Sequence, residues 1–347
     1  MITPMITRIT MITPMITRTN WIAAITTKIL NFYHNEENQA PFLMLSAAAL
    51  YACQNFNVKL LSPYFDTWLI LMVRSTTAFL ISFLSCLYFD IHPLFGHQKK
   101  KLLLRGCLGG SSIVFGYLSI RYLPLSTASF LNATSPLWTA ILCFFCRSSL
   151  DVVWTRKDTV GVFISLCGIV LLYFNDLQDF KNLRDRGDRG DLDFILGVVF
   201  GTLCSFSQAL VTVTTRDIRD EHTLVISTYS MGITSITTVP FVMYLYFQSP
   251  TERTSFKNNR YYSILLFLTG ILSLSGQSLK TLALQKSKNV GVVIMRYMEI
   301  VFACLIDRFV FHTIFFPLDI VSIILVVLGV VLRSVPSLPI TVCGSKN

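Results

Sequence analysis

Two matching stretches decide the fold: DTVGVFISLCGIVL at residues 158–171 and DIVSIILVVLGVVL at residues 319–332. Each begins with an aspartate, where the helix dipole favours negative charge. Each carries a glycine ten residues later, where a second helix can approach closely. Both are otherwise almost wholly apolar, as a helix that crosses a bilayer must be. The pair therefore predicts related membrane helices in the two halves of the chain.

The rest of the chain shares this apolar character. Of its 347 residues, 53% are hydrophobic and only 14% are charged, whereas soluble proteins carry about 25% charged residues. Because hydrocarbon offers the backbone no hydrogen-bond partner, apolar stretches of this length are predicted to be helices. Ten such spans are predicted, at residues 41–61, 67–89, 102–122, 125–147, 158–175, 194–214, 223–247, 260–283, 289–310 and 316–333.

The helices that precede the opening pair also correspond. LSIRYLPLSTA at residues 118–128 aligns with LALQKSKNVGV at 282–292, and SPLWTAIL at 135–142 aligns with EIVFACLI at 299–306. Each half then contains five spans, an odd number, so the second copy must lie upside down relative to the first. The predicted fold class is an all-α membrane protein with ten transmembrane helices, arranged as two inverted five-helix repeats.

Short polar segments flank and divide the two halves. The first twenty residues repeat as MITPMITRIT and MITPMITRTN, with prolines that disfavour a continuous helix. We expect a disordered cytosolic tail there, and the alternative of a targeting segment stays open. The predicted divisions are a tail at 1–40, a first repeat at 41–175, a charged linker at 176–193, a second repeat at 194–333 and a cytosolic tail at 334–347.

The net charge of +10 points to membrane topology and anionic lipid headgroups, and no nucleic-acid partner is expected. Lys and Arg are more frequent in the segments on the side of the N-terminus, which predicts that both termini are cytosolic. The basic run Arg253–Arg260 opposes this orientation. The predicted partners are the lipid bilayer and a small-molecule substrate. A homodimer and the choice between plasma membrane and endomembrane are left open.

Two motifs carry a resemblance to a known family. RYLPLSTAS at 121–129 and TSPLW at 134–138 resemble the EamA-type repeat of the drug/metabolite transporter superfamily. VIMRYMEIVFA at 293–303 is most similar to the G-type branch of solute carrier family 35, although Ile300 stands where a proline is usual. The resemblance covers about residues 41–333. It implies a transporter of small organic metabolites, a class that includes amino acids, nucleotide sugars, phosphorylated sugars, nucleosides and drugs.

Three ionisable residues are predicted to lie away from the ends of the spans: Arg74, Arg296 and Glu299. Such groups cost about 3 kcal/mol or more at the bilayer midplane and usually face a cavity or a partner. Arg296 and Glu299 lie three residues apart, on one face of a helix. They form either an ion pair that fixes the helix or a substrate clamp, and Glu299 is the candidate coupling residue for protons.

Arg74 has no acidic residue within one helical turn. Its predicted counterpart in the second half is Tyr229. Two arginines and one glutamate leave a formal +1 in the membrane, which favours a substrate with a carboxylate or phosphate that arginine binds through its planar fork. Arg74 would otherwise pair with Glu299 across the two halves or extend towards the membrane surface.

Uncharged polar residues inside several spans complete the predicted site. Gln54 and Gln208 occupy matching positions in the two halves. Hydrogen bonds between helices would account for most such residues, but their convergence from both halves also suits a substrate site at the midplane. The candidate substrate-binding residues are Arg74, Gln54, Asn55, Asn132, Gln208, Tyr229, Gln277 and Arg296.

No catalytic motif, metal site or cofactor is predicted, and the protein is not expected to be an enzyme. The five histidines lie outside the helix interiors, no phosphate-binding loop of the Walker type occurs, and Cys143 and Cys146 are expected to be packing residues. The predicted function is secondary-active or exchange transport by alternating access. Proton coupling, exchange and facilitated diffusion stay open, and the alternatives are a non-transporting scaffold or receptor, or a membrane-embedded transferase.

Overall fold

The computed structural model describes residues 36–92, 96, 98–123, 125–145, 156–172, 191–248, 260–287, 289–311 and 317–334. Most of the predicted N-terminal tail, the charged linker and the C-terminal tail lies outside these ranges, as does Cys146. Where the described ranges overlap the predicted tail and linker, the chain is helical. The first helix begins at Glu36, and the helix after the linker begins at Asp191.

All secondary-structure elements in the described ranges are helices, which confirms the all-α prediction. The α-helices are α1 Glu36–Leu61, α2 Thr67–Tyr88, α3 Lys99–Tyr122, α4 Leu125–Ala133, α5 Ser135–Phe145, α6 Arg156–Leu172, α7 Asp191–Asp217, α8 Thr223–Gln248, α9 Arg260–Lys286, α10 Met298–Phe311 and α11 Pro317–Ser334. A 3-10 helix at Val290–Tyr297 precedes α10. By length and apolar composition, α2, α3, α7, α8 and α9 can cross a membrane.

Two predicted spans are not continuous α-helices. The span at 125–147 is divided into α4 and α5 at Thr134. Pro136 has no amide hydrogen, so the carbonyl one turn earlier loses its helical donor. The span at 289–310 begins as the tighter 3-10 helix and becomes α-helical only at Met298. Ser135 and Glu299, which are aligned with each other in the sequence, lie just after the two interruptions.

Contacts between helices recur when the two halves are exchanged. The α3–α7 contact has its counterpart in α9–α1, the α8–α3 contact in α2–α9, and the α5–α7 contact in α10–α1. The largest apolar core joins the halves: Cys143, Val162 and Ile169 lie in one cluster with Ile294 and Val330. The two halves therefore pack against each other through this shared apolar core.

The opening pair of stretches forms the crossing of α6 and α11. A Cβ atom added to Gly329 would lie 2.6 Å from the carbonyl oxygen of Gly161 and would also collide with Ser165 Oγ. A Cβ on Gly161 would lie 2.7 Å from the carbonyl oxygen of Gly329, and one on Gly168 would lie 2.7 Å from that of Ser322. Only hydrogen fits at these positions, so glycine sets the distance between the two helices.

Gly329→Ala is expected to destabilise the protein by about 1–3 kcal/mol, because the added methyl group overpacks the crossing. Gly110→Ala is the matched control, since its Cβ would meet Thr234 Oγ1 at an ordinary 3.6 Å. The thermal unfolding midpoint of the full chain in detergent measures both. Equal midpoints for the two variants would contradict the role assigned to the crossing.

Candidate functional site

The interrupted helices supply the centre of the candidate site. The hydroxyl of Thr134 lies 2.6 Å from the carbonyl oxygen of Leu131 and 3.2 Å from Ser205 Oγ on α7. In the second half, Asn289 Oδ1 accepts a 2.8 Å hydrogen bond from the amide of Gly291 and so caps the 3-10 helix. Side chains thus satisfy backbone groups where regular α-helical bonding stops.

Glu299 begins α10 directly after this 3-10 helix. Its Oε1 accepts a 2.9 Å hydrogen bond from Asn55 Nδ2 on α1, and its Oε2 lies 3.7 Å from Arg296 Nε. The two charged side chains are about one-fifth exposed, at 19% for Arg296 and 20% for Glu299. The acid is therefore paired locally with the arginine and is tied to α1 by a neutral donor.

Arg74 does not complete a pair with this acid. Its Nε is buried and forms no hydrogen bond to any described residue. The alternative contact between Arg74 and Glu299 is not formed, because the described partners of Glu299 are Arg296 and Asn55. Arg74 thus brings an unneutralised guanidinium into the interior, where a charge without a partner is costly.

Tyr51 lies among the charged residues, one helical turn before Asn55. Its ring packs against the backbone of α9 at Gly276, where an added Cβ would lie 3.4 Å from Tyr51 Cε1. Four charged side chains interact electrostatically with Tyr51: Arg296, Glu299, Arg74 and Arg105. Sequence reasoning did not select Tyr51, because a tyrosine in an apolar helix resembles an ordinary packing residue.

The uncharged candidates divide into three groups. Gln54 is buried, and its Oε1 has no hydrogen-bond partner among the described residues. Asn132 Oδ1 accepts from Cys204 Sγ at 3.8 Å, and that thiol interacts electrostatically with Arg296. Gln208 and Gln277 are half-buried.

Tyr229 is half-buried on α8. It packs against an apolar cluster that contains Leu102, Ile218 and Ile226. The residue predicted to match Arg74 in the second half is therefore an uncharged aromatic residue at the edge of an apolar cluster.

The predicted set of charged residues inside the spans was incomplete, because Arg105 is only 3% exposed. Its Nε donates to Thr215 Oγ1 at 2.8 Å, its Nη2 to Thr281 Oγ1 at 3.2 Å and its Nη1 to the carbonyl oxygen of Ile226 at 3.4 Å. These neutral acceptors lie on α7, α9 and α8, so one guanidinium joins α3 to three helices of the second half.

Lys280 is the second charged residue that the prediction missed. It is half-buried on α9 and interacts electrostatically with Arg296, Arg105 and Glu299. Both missed residues fall inside the predicted spans 102–122 and 260–283 but were counted with the basic ends that set topology. A count made strictly by the limits of the spans would have found them.

The positive charge around Tyr51 is therefore larger than predicted. Around Tyr51, three cations and one anion leave a formal +2 instead of +1, from Arg74, Arg105, Arg296 and Glu299. Within the described ranges, no three His, Cys, Asp or Glu side chains lie together in a way that could hold a metal ion. This balance of charge would favour an anionic ligand over a cationic one.

Thr215→Val is expected to lower the thermal unfolding midpoint of the full chain, because it removes the acceptor of the shortest Arg105 hydrogen bond and leaves a buried donor unpaired. The cost is about 1–3 kcal/mol. Thr237→Val makes the same chemical change at an exposed residue whose hydroxyl bonds only within its own helix, to Ile233 and Thr234. A midpoint for Thr215→Val as high as that of this control would contradict the structural role of Arg105.

Comparison with known proteins places this arrangement among transporters. The sequence profile of the EamA-like transporter family matches residues 39–174 and again residues 195–335. The chain is 25% identical over 219 residues to human solute carrier family 35 member G1, a match that covers 63% of this chain and 56% of that relative. These matches confirm the resemblance seen in the sequence.

A second relative and one solved structure extend the comparison. Probable transport protein YPL264C of Saccharomyces cerevisiae is 25% identical over 225 residues, which is 62% of this chain and 61% of that protein. The chain thus spans less than two thirds of the length of either relative. One crystal structure has a TM-score of 0.64 over 85% of this chain and 95% of its own, at 14% identity, which is a likeness of fold alone.

Proposed function

Because this chain belongs to the EamA-like transporter family and is a multi-pass integral membrane protein, we propose that it moves a small organic anion across a membrane by alternating access. The transport is secondary-active or an exchange of solutes. One observation carries the choice of an anion: the charged residues around Tyr51, which are Arg74, Arg105, Arg296 and Glu299, sum to a formal +2. A negatively charged substrate lowers the energy of this group of charges, and a cationic substrate raises it.

Three observations support an architecture of ten spans in two inverted five-helix repeats. The family profile matches each half separately. Helix contacts recur when the halves are exchanged. The crossing of α6 and α11 is antiparallel, since Gly161 meets Gly329 whereas Gly168 meets Ser322. Equivalent helices that cross antiparallel are what a two-fold axis in the membrane plane requires.

Arg74 is the proposed anchor for an acidic group of the substrate. Its guanidinium forms no hydrogen bond to the described residues around it, and a carboxylate or phosphate can accept two parallel bonds from it. Gln54, Asn55 and Gln277 add amide groups on the α1 and α9 side of the interior. In alternating access, the two halves then rock against each other around this site, which opens to each side of the membrane in turn.

Glu299 is the proposed coupling residue. Its carboxylate holds Asn55 of the first half and Arg296 of the second half at the same time. Protonation would remove the negative charge that attracts Arg296 and weaken the hydrogen bond from Asn55, since charged acceptors form the stronger bonds. The protonation state of one side chain would thereby alter the connection between the two halves.

Uptake by purified full-length protein in liposomes tests the proposed function. The panel contains radiolabelled carboxylates and phosphate esters together with uncharged analogues of the same size. Wild-type protein is expected to take up anionic members only, and Arg74→Ala is expected to reduce that uptake about 10- to 100-fold, the worth of a charged hydrogen bond. Lys100→Ala, at an exposed position of α3, is the control and should transport like wild type.

Two outcomes of this experiment would reject the proposal. If uncharged members of the panel were taken up as fast as the anions, the proposal that the substrate is an anion would be rejected. Folded wild-type protein without uptake of any member, under imposed gradients or with solute inside for exchange, would favour the scaffold or receptor alternative.

Glu299→Gln tests coupling, because glutamine keeps an oxygen that accepts from Asn55 but carries no charge. We expect uptake driven by an imposed proton gradient to fall at least tenfold, while exchange of internal for external substrate persists. The ratio of the two rates in the same vesicles is the measurement. A ratio equal to that of wild type would exclude Glu299 from coupling.

A further inference from the structure

We propose that Lys280 is a second anion-binding residue of the transport path, which receives the acidic group of the substrate at a different depth from Arg74. This assignment rests on the proposed function and deepens it. The ligand chemistry is an oxyanion, either a carboxylate or a phosphate. Lys280 acts as a compact point charge with three donors, whereas the guanidinium of Arg74 binds through a planar fork.

The difference in depth follows from the packing of α2 against α9. The rings of Tyr64 and Tyr262 lie 4.1 Å apart near the starts of the two helices. Further along both, an added Cβ on Gly270 would lie 3.1 Å from the carbonyl oxygen of Arg74. The helices therefore run side by side in the same direction. Lys280 lies ten residues beyond Gly270, which is about 15 Å along the helix axis.

The side-chain nitrogen of Lys280 has no hydrogen-bond or ion-pair partner among the described residues. The side chain is half-buried. Its electrostatic neighbours are two cations, Arg296 and Arg105, and one anion, Glu299. That anion already holds Arg296 and Asn55. No described residue is thus left to neutralise a proton on Lys280, and an acidic group of the substrate would stabilise that proton.

Arg105 is also a buried cation, but it is not suited to bind the acidic group of a substrate. Its three nitrogens already donate to Thr215, Thr281 and the carbonyl of Ile226. These bonds fix the guanidinium without neutralising it, and Thr281 is the residue directly after Lys280. Arg105 therefore adds positive potential beside Lys280 from a fixed position, while Lys280 keeps the donors that contact the ligand.

Chemical labelling of Lys280→Cys tests the site without knowledge of the substrate. The full-length variant is placed in vesicles of phosphatidylcholine alone, so no anionic headgroup is present, and its labelling beyond that of wild type is followed by intact mass. The probes are a sulfonate-bearing and a trimethylammonium-bearing methanethiosulfonate. Ser62→Cys, in the exposed turn after α1, corrects for the intrinsic rates of the two reagents.

After that correction, we expect the anionic reagent to be favoured at least tenfold at position 280, because the remaining charges around it are positive on balance. A corrected ratio near one overturns the proposal, as does failure of both reagents to reach position 280. Either result means that the position does not face an anion-attracting aqueous path.

Uptake kinetics in the same phosphatidylcholine vesicles provide the second measurement, with the anion that wild type takes up. Lys280→Met is expected to raise KM at least tenfold, and Lys280→Arg to restore most of the affinity, with unchanged thermal midpoints. A wild-type KM in the Lys280→Met variant overturns the assignment while transport itself stands. If the rise in KM of the Lys280→Met variant appears only when phosphatidylglycerol is added to the vesicles, the assignment is also overturned, because Lys280 would then bind a lipid headgroup. If wild type takes up nothing, the proposed function fails, and the labelling ratio still decides whether Lys280 attracts anions.

Discussion

Hydrocarbon offers no hydrogen-bond partner to a polypeptide backbone, and this constraint orders the whole molecule. Continuous helices satisfy this constraint with their own backbone hydrogen bonds. The break at Thr134 and the 3-10 helix at Val290–Tyr297 also need hydrogen bonds from side chains. Such segments are tolerated only inside the protein, where Thr134 Oγ1 donates to the carbonyl oxygen of Leu131 and Asn289 Oδ1 accepts from the amide of Gly291. Glu299 directly follows the second of these segments and bonds to Asn55 of the first half, so an exception to regular structure adjoins the candidate site.

Electrostatics then divides the interior cations into two kinds. Arg296 has an acid beside it, and Arg105 has three neutral acceptors that hold it in place. Arg74 and Lys280 have neither among the described residues, although both lie within an apolar, helical protein. Residues that carry an uncompensated charge at such a cost are the ones expected to meet a substrate. The two kinds of cation thereby distinguish the arginines that hold helices together from the residues proposed to receive a ligand.

Several features of the fold and site were predictable because they are local. Apolar length predicted the helices, and the spacing of three residues predicted that Arg296 and Glu299 approach each other. The charge of the interior was underestimated because Arg105 follows a basic run and Lys280 precedes the end of its helix. In a sequence, such residues resemble those that set topology, and only packing shows that Arg105 is buried.

The sequence by itself determined that the chain is helical, apolar and duplicated, because these properties arise from the order and repetition of neighbouring residues. The tertiary structure alone decided which polar groups are paired. Asn55 bonds to Glu299 across 244 residues, and Arg105 bonds to Thr215 across 110 residues. No local pattern encodes contacts over such distances, since they form only when helices from the two halves pack together.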